Sequence, residues 1–384
     1  MKRFFISTFL TMIFIMTVGA VAVFYFDVLD EEDAVKVMLH GDFENDPNFD
    51  FKSEPIVEVY IEDYEEYDEY ESEEWVCPYT VTILLSAAGD TTLGGDRRWA
   101  GYGAFLREFE DSGRDHSHFF SNVAHIFYES DLSILNLEGV LTYVTEPHMD
   151  KEFVFRGPPH FARILYYGHI DAVSLANNHT RDFFLRGYND TRAALDYVGV
   201  AYFGNYFNRI MEVNGIKVGL FGHRIWADHL ENRNRITAAI EYLRNQGAQL
   251  IIAFNHWGVE GENFPEHYQR TIGRFTLQQG ADLVLGAHPH VIQGIEEYNG
   301  RFIVHSLADF CFGGNAAPSD QDTFIFQQLF TFYRGVLQDY TETTLIPARV
   351  SSVRYRNDFR PTIAEGDDAE RILARIERYS EALR

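Results

Sequence analysis

Short apolar runs recur along the chain, and each breaks off into polar side chains. The first, "VTILLSAAGD" at 81–90, ends in Gly-Asp. The form repeats in "LSILNLEG" (132–139), "DAVSLANNH" (171–179), "IKVGLFGH" (216–223), "AQLIIAFNHWG" (248–258), "ADLVLGAHPH" (281–290) and "RFIVHSLADF" (301–310). Runs of this length suit buried strands. Between several of them the apolar spacing changes to three- and four-residue steps. That spacing predicts helices over 117–131, 186–199, 234–247 and 266–280, the last three stopped by Gly199, Gly247 and Gly280. Strands alternating with helices predict an α/β sheet architecture. Further on, 322–337 and 343–355 read as strands in succession, so they are antiparallel additions or a second sheet. Residues 367–384 read as a terminal amphipathic helix.

The chain before residue 79 follows other patterns. Lys2 and Arg3 precede an uncharged run from Phe4 to Phe26. As a helix it is long enough to span a bilayer of about 30 Å. Its length favours a membrane anchor within 1–26 over a cleaved signal peptide, although "TVGAV" at 17–21 is a tolerable cleavage site. Basic residues before the run and acids after it place the following chain outside the cytoplasm. From Asp27 to Glu74 there are 20 Asp and Glu against two Lys, interleaved with Tyr. Like charges repel there and aliphatic residues are few, which predicts a disordered acidic spacer over 27–78. The sharper alternative is a docking segment for a cation or a cell-wall partner. A folded domain over 79–384 follows.

The formal net charge of −26 argues against nucleic acid as a partner. Two cysteines, Cys77 and Cys311, are too few for a disulfide framework in a chain of 384 residues.

Chemistry enters at the ends of the apolar runs. Asp90, then Asn136 and Glu138, then Asn177, Asn178 and His179, then His256, then His288 and His290 each follow a predicted strand. In an open α/β sheet, ligands bind beyond the carboxyl ends of the strands. Any one of these residues is explained as a cap or a turn residue. Together they form a set of imidazole and oxygen donors suited to Zn, Mn or Fe. In "HPH" an extended backbone would aim both imidazoles to one side, with Pro289 stiffening the loop. Gly286 would let another backbone come close.

"GDTTLGG" (89–95), "NLEGVLT" (136–142), "SLANNHTRDF" (174–183), "NHWGVEG" (255–261), "GADLVLGAHPHVIQGIEEYNG" (280–300) and "HSLADFCF" (305–312) resemble, in order and spacing, the CapA family of bacterial capsule (poly-γ-glutamate) synthesis proteins. That family is similar to the calcineurin-like metallophosphoesterases. The resemblance covers residues 80–315. It implies a layered α/β/β/α sandwich and a pair of divalent metal ions (Mn, Zn or Fe). It also implies ligand roles for Asp90, Glu138, Asn178, His256, His288 and His290, and a leaving-group-facing role for His179 as general acid or transition-state stabiliser. Arg156 and Glu260 are candidate substrate contacts, with surface ion pairs as the alternative for each. Two positions depart from the pattern. Asp90-Thr91-Thr92 stands where the phosphoesterases have Asp-x-His. "SLADF" stands for "SLGNF", so Asp309 either adds charge near the site or caps a turn.

The implied function is capsule biosynthesis by a membrane-anchored metal-dependent hydrolase or transferase, with the capsule polymer or its synthase subunits as partners. A non-enzymatic polymer-binding or export subunit and a cell-surface phosphodiesterase are the competing expectations.

Overall fold

The computed structural model describes residues 80–147, 151–205 and 207–384, with backbone alone at a few short stretches between 16 and 59. Residues 1–75 and 76–384 are separate compact units. The predicted membrane segment and the acidic spacer lie almost wholly outside the described residues. Within the former only Met16–Thr17 and Ala20–Val21 are described, as an antiparallel pair. No helix among the described residues is long and apolar enough to cross a membrane.

In the second unit the main elements run β1 (Thr80–Thr92), α1 (Ala100–Asp111), β2 (Leu132–Leu137), β3 (Ala172–Ser174), α2 (Phe184–Val198), β4 (Ala201–Phe203), β5 (Arg209–Val213) and β6 (Ile216–Phe221). They continue with α3 (Leu230–Asn245), β7 (Leu250–Trp257), α4 (His267–Gln278), β8 (Leu283–Ala287), β9 (Ile295–Tyr298) and β10 (Arg301–Val304). The last are β11 (Asp309–Phe312), β12 (Asp322–Tyr333), β13 (Val336–Arg349), β14 (Thr362–Ile363) and α5 (Gly366–Glu381). One sheet has the order β4-β3-β2-β1-β12-β13-β14, with β11 also pairing β1. The other has the order β5-β6-β7-β8-β10-β9. Strands β4, β3, β2 and β1 are mutually parallel, as are β6, β7, β8 and β10.

The sheets pack face to face because their strands are apolar on both sides. In β7, Leu250, Ile252 and Phe254 enter the core shared with Ile83, Leu85 and Ile134 of the first sheet. The intervening Ile251 and Ala253 point the other way, onto Ile236, Ile240 and Ile272 of α3 and α4. The outer face of the first sheet carries an aromatic layer in which Phe105 of α1 stacks on Phe119 at 4.4 Å. The result is a mixed α/β sandwich of two sheets between helical layers. Phe109, Phe120, Phe127, Phe161, Phe310 and Phe359 are buried in the same layer.

Several predicted elements recur with shifted ends. The helix expected over 117–131 is reduced to a 3-10 turn, His118–Phe120, and one short helix, Ala124–Tyr128. The tail strands form an antiparallel hairpin on β1. Arg334 and Gly335, at φ 50° and 73°, form its two-residue turn. Helix α5 drives Ile372, Ile376 and Tyr379 into the core between the sheets. Cys311 is a free, buried thiol donating to Phe359 O at 3.3 Å, and Cys77 lies outside the described residues.

Candidate metal centre

The parallel strands of both sheets release their chains at one edge, and the polar clusters meet there. Asp90 sits near the end of β1, fully buried. Glu138 follows β2 and is fixed by its own N–H donating to Thr91 O at 2.8 Å. Asn177, Asn178 and His179 follow β3, His256 ends β7, and His288 and His290 follow β8. Gly286 makes this possible: a Cβ there would lie 2.1 Å from His305 O and 2.6 Å from Trp257 Nε1.

The side chains converge in three overlapping groups: Glu138 with His256 and His288, Asp90 with Glu138 and His290, and Glu260 with His288 and His290. Within each group one ligand atom per residue lies within 4.8 Å of the others. The His256 Nε2 is 2.6 Å from Asn178 Oδ1 and 3.5 Å from Glu138 Oε1. The His288 and His256 ring centres are 4.6 Å apart. Asn136 Nδ2 donates to Asp90 Oδ1 at 2.6 Å and lies 3.4 Å from His256 Nδ1. Asn177 Nδ2 donates to Asn136 Oδ1 at 3.2 Å.

The "HPH" backbone is not extended, contrary to the expectation from its spacing. His288 and His290 both adopt positive φ, 100° and 57°. Such values are costly for a residue with a Cβ and persist where surrounding contacts hold them. Here the His288 N–H donates to Asp90 Oδ2 at 3.0 Å, and His290 Nδ1 donates to Asp309 Oδ1 at 2.8 Å. The two rings still approach, at 6.0 Å between centres. Asp309 therefore sits at the site and orients an imidazole.

The electrostatics fit a cation. Both Glu138 carboxylate oxygens are buried without a hydrogen-bond partner, and so is His288 Nδ1. Burial drives the Glu138 carboxyl well above its ordinary range, and Asp90 and Asp309 push it the same way. Burial likewise raises Asp90 to about 6, partly opposed by His290. Burial and the neighbouring His290 hold His288 neutral, its pKa down at about 3, and burial keeps His256 well below its usual value. For His290 burial works against the charge, but Asp309, Glu138 and Asp90 outweigh it and raise the group well above its usual value. Orphaned carboxylate oxygens beside neutral imidazoles are a donor set for a divalent transition ion.

His179 stands at the rim of this cluster. Its Nδ1 donates to Asp182 Oδ2 at 2.6 Å, and its Nε2 is 3.8 Å from Glu138 Oε1. The Phe155 ring stacks on it at 4.1 Å. Lys151 Nζ donates to Asn178 O and to Asp182. Of the two candidate substrate contacts, Glu260 is exposed at the mouth, beside His288 and His290. Arg156 is buried; its guanidinium donates to the Val144 carbonyl and lies 5.3 Å from the Phe183 ring. Sequence reasoning gave no role to Asp182, Lys151 or Trp226, and it counted Asn136 among the oxygen donors where the structure has it supporting Asp90. Asp182, three residues after His179, carried a legible signal. Trp226, with its ring 4.7 Å from that of His288, carried none.

The "PGA biosynthesis protein CapA" of Bacillus subtilis (strain 168) is 30% identical over 213 residues, 50% of this chain and 56% of that protein. The "Capsule biosynthesis protein CapA" of Bacillus anthracis is 30% identical over 168 residues, 36% of this chain and 39% of that protein. The chain thus matches little more than half the length of one relative and less of the other. A crystal structure of a hypothetical protein from Thermus thermophilus aligns with a TM-score of 0.42 and 15% identity, covering 69% of this chain and 99% of that one. Residues 84–314 match the bacterial capsule synthesis protein family PGA_cap, a metallophosphoesterase-like family, and span every element that carries the site; the chain belongs to that family.

Proposed function

We propose that the chain is a metal-dependent hydrolase or transferase of capsule polymer biosynthesis, working outside the cytoplasm and anchored by its apolar run at 4–26. The observation that carries the catalytic part is Glu138, whose two buried oxygens face His256 and the other donors without a hydrogen-bond partner. In this reading Asp90, Glu138, Asn178, His256, His288 and His290 hold two divalent ions. Such ions, when bound, act as Lewis acids on the scissile group and lower the pKa of an attacking water.

The protein's own residues supply the rest. Asp182 fixes the His179 tautomer by accepting from Nδ1, so Nε2 is the nitrogen presented to the site. Burial keeps this imidazole neutral at rest, its pKa below the usual value. It can accept a proton at Nε2, and Asp182 then stabilises the imidazolium until the proton passes to the leaving group. The stacked Phe155 ring excludes water from one face. Asp309 and Asn136 orient His290 and Asp90, the support that metal ligands ordinarily need.

One observation favours a second reading, a non-enzymatic subunit that binds the capsule polymer or its synthase. Thr92 stands where the phosphoesterases have an imidazole, and its hydroxyl is committed to Glu138 O at 2.7 Å. Elemental analysis of the purified chain, with His288→Ala/His290→Ala as control, is the test. Two metal equivalents lost in the control support the enzyme, and His179→Ala should then abolish polymer output while retaining metal. No metal after loading with Mn²⁺ or Zn²⁺ sinks the catalytic reading. Polymer output that survives His179→Ala supports the subunit.

A further inference from the structure

A cavity of about 740 Å³ is lined in part by α2, and none of the residues that gather around Glu138 lines it. Its wall includes Tyr143 and Glu146 from the loop after Glu138, Arg163 from the helix Ala162–Tyr167, and Arg186, Asp190 and Tyr197 from α2. Two of its three segments are continuations of the ones carrying Glu138 and His179.

Its chemistry is mixed in a particular way. Two guanidinium groups face two carboxylates, so the cavity has no net formal charge. His160, also in the wall, adds none: burial and the nearby Arg163 lower its pKa, and its Nδ1 is engaged by His116 Nε2 at 2.9 Å. Neither Arg163 nor Arg186 has a hydrogen-bond or ion-pair partner among the described residues. Tyr143 and Tyr197 are 70% and 76% exposed, which leaves their rings open to a ligand. The rim is held in place. Arg156 donates to the Val144 carbonyl, Val144 N–H donates to Thr142 Oγ1 at 3.1 Å, and the Thr142 hydroxyl donates to Asp190.

Three ligand classes can be compared. A polyanion would meet Glu146 and Asp190 as well as the arginines. An apolar ligand would desolvate four charged groups without replacing their hydrogen bonds. A polyhydroxylated ring satisfies both sets, since each hydroxyl donates to a carboxylate and accepts from a guanidinium. Its C–H face also suits the flat, amphipathic surface of a tyrosine. The volume suits two or three such rings. We propose that this cavity is a carbohydrate-binding subsite, occupied by a short stretch of neutral glycan and independent of the metal centre. The ligand would hold the protein against a glycan surface with its metal-centre edge unobstructed.

The test is isothermal titration of the full chain in detergent with triacetylchitotriose, with maltotriose and with triglutamate. Saturable binding of a trisaccharide is expected, weakened about tenfold or more by Tyr197→Ala and by Arg186→Ala, with metal content unchanged. Glu146→Gln separates the ligand classes, because it weakens a sugar and strengthens an anion. All these residues are surface-exposed, so their substitution should leave the fold intact. Absence of saturation by either sugar at about 10 mM overturns the proposal. So does triglutamate binding that Glu146→Gln enhances. Neither outcome bears on the metal reading.

Discussion

Glu138 and Glu296 are both buried carboxylates placed beside histidines, and they differ in almost everything else. Glu296 accepts from His305 Nε2 at 3.1 Å, Arg270 Nε at 3.3 Å and Arg274. Burial alone would raise its pKa, but these three donors outweigh burial and hold it down at about 2. Glu138 has no donor to either oxygen, and burial, Asp90 and Asp309 drive it upward. One cluster is complete in the protein alone, whereas the other leaves both carboxylate oxygens without a partner. Missing partners, more than the presence of histidine and carboxylate, distinguish a site from a structural network.

The sharpest way to break this comparison is to neutralise each carboxylate in metal-free protein. Glu296→Gln leaves Arg270 and Arg274 facing a neutral group and should cost about 3–5 kcal/mol in denaturant melts. Glu138→Gln replaces a carboxyl that burial already drives toward its neutral form and that no donor bonds, so it should cost less than about 1 kcal/mol, or stabilise. Equal losses would show that Glu138 is a structural residue like its counterpart.

Metal addition should give the next largest effect. At about a hundredfold excess of Mn²⁺ or Zn²⁺ over its dissociation constant, unfolding should become harder by about 2.7 kcal/mol. Glu138→Gln should erase most of that gain, read as a lost shift in Tm. If the shift persists, the ion binds elsewhere.

The sequence showed the strands of the site and most of its donors, because each donor follows an apolar run that could only be a buried strand. The unbroken apolar run "LIIAF" suited a buried strand, and the structure packs Ile252 inward and Ile251 outward. Three things were not legible. Positive φ at His288 and His290 depends on Asp90 and Asp309, which are distant in sequence. The commitment of Arg156 to a loop carbonyl depends on how residues 143–144 fold back. The helix expected over 117–131 gives way to a tight turn that buries Phe119 and Phe120, where tertiary packing of aromatics overrides local spacing.

Asp309 gives a finer measure of how far the site depends on its supports. It touches His290 from behind, so Asp309→Ala should weaken metal binding about 10–100-fold. Asp309→Asn keeps an acceptor for Nδ1 and should lose less. Competition with a chromophoric chelator would read both. An unchanged affinity in Asp309→Ala would mean the hydrogen bond is incidental.

The smallest expected effect is a pH slope between 4 and 6. Asp90 titrates at about 6 in the folded, metal-free protein, above its unfolded value of about 3.9. Its contribution is therefore full below about pH 4 and is lost as pH rises toward 6. Glu296 has the opposite sign: its contribution is full above about pH 4.3 and is lost as pH falls toward 2. His256 and His288, with lowered values, gain stability over the same rise in which Asp90 loses it, so the net slope is shallow. Subtracting the Asp90→Asn curve from the wild-type curve cancels much of the histidine part. The difference should fall from pH 4 to 6 without metal. It should rise with saturating metal, because the ion binds only the ionised carboxylate. A difference that falls equally in both conditions would mean that Asp90 stays protonated beside the ion and is not one of its ligands.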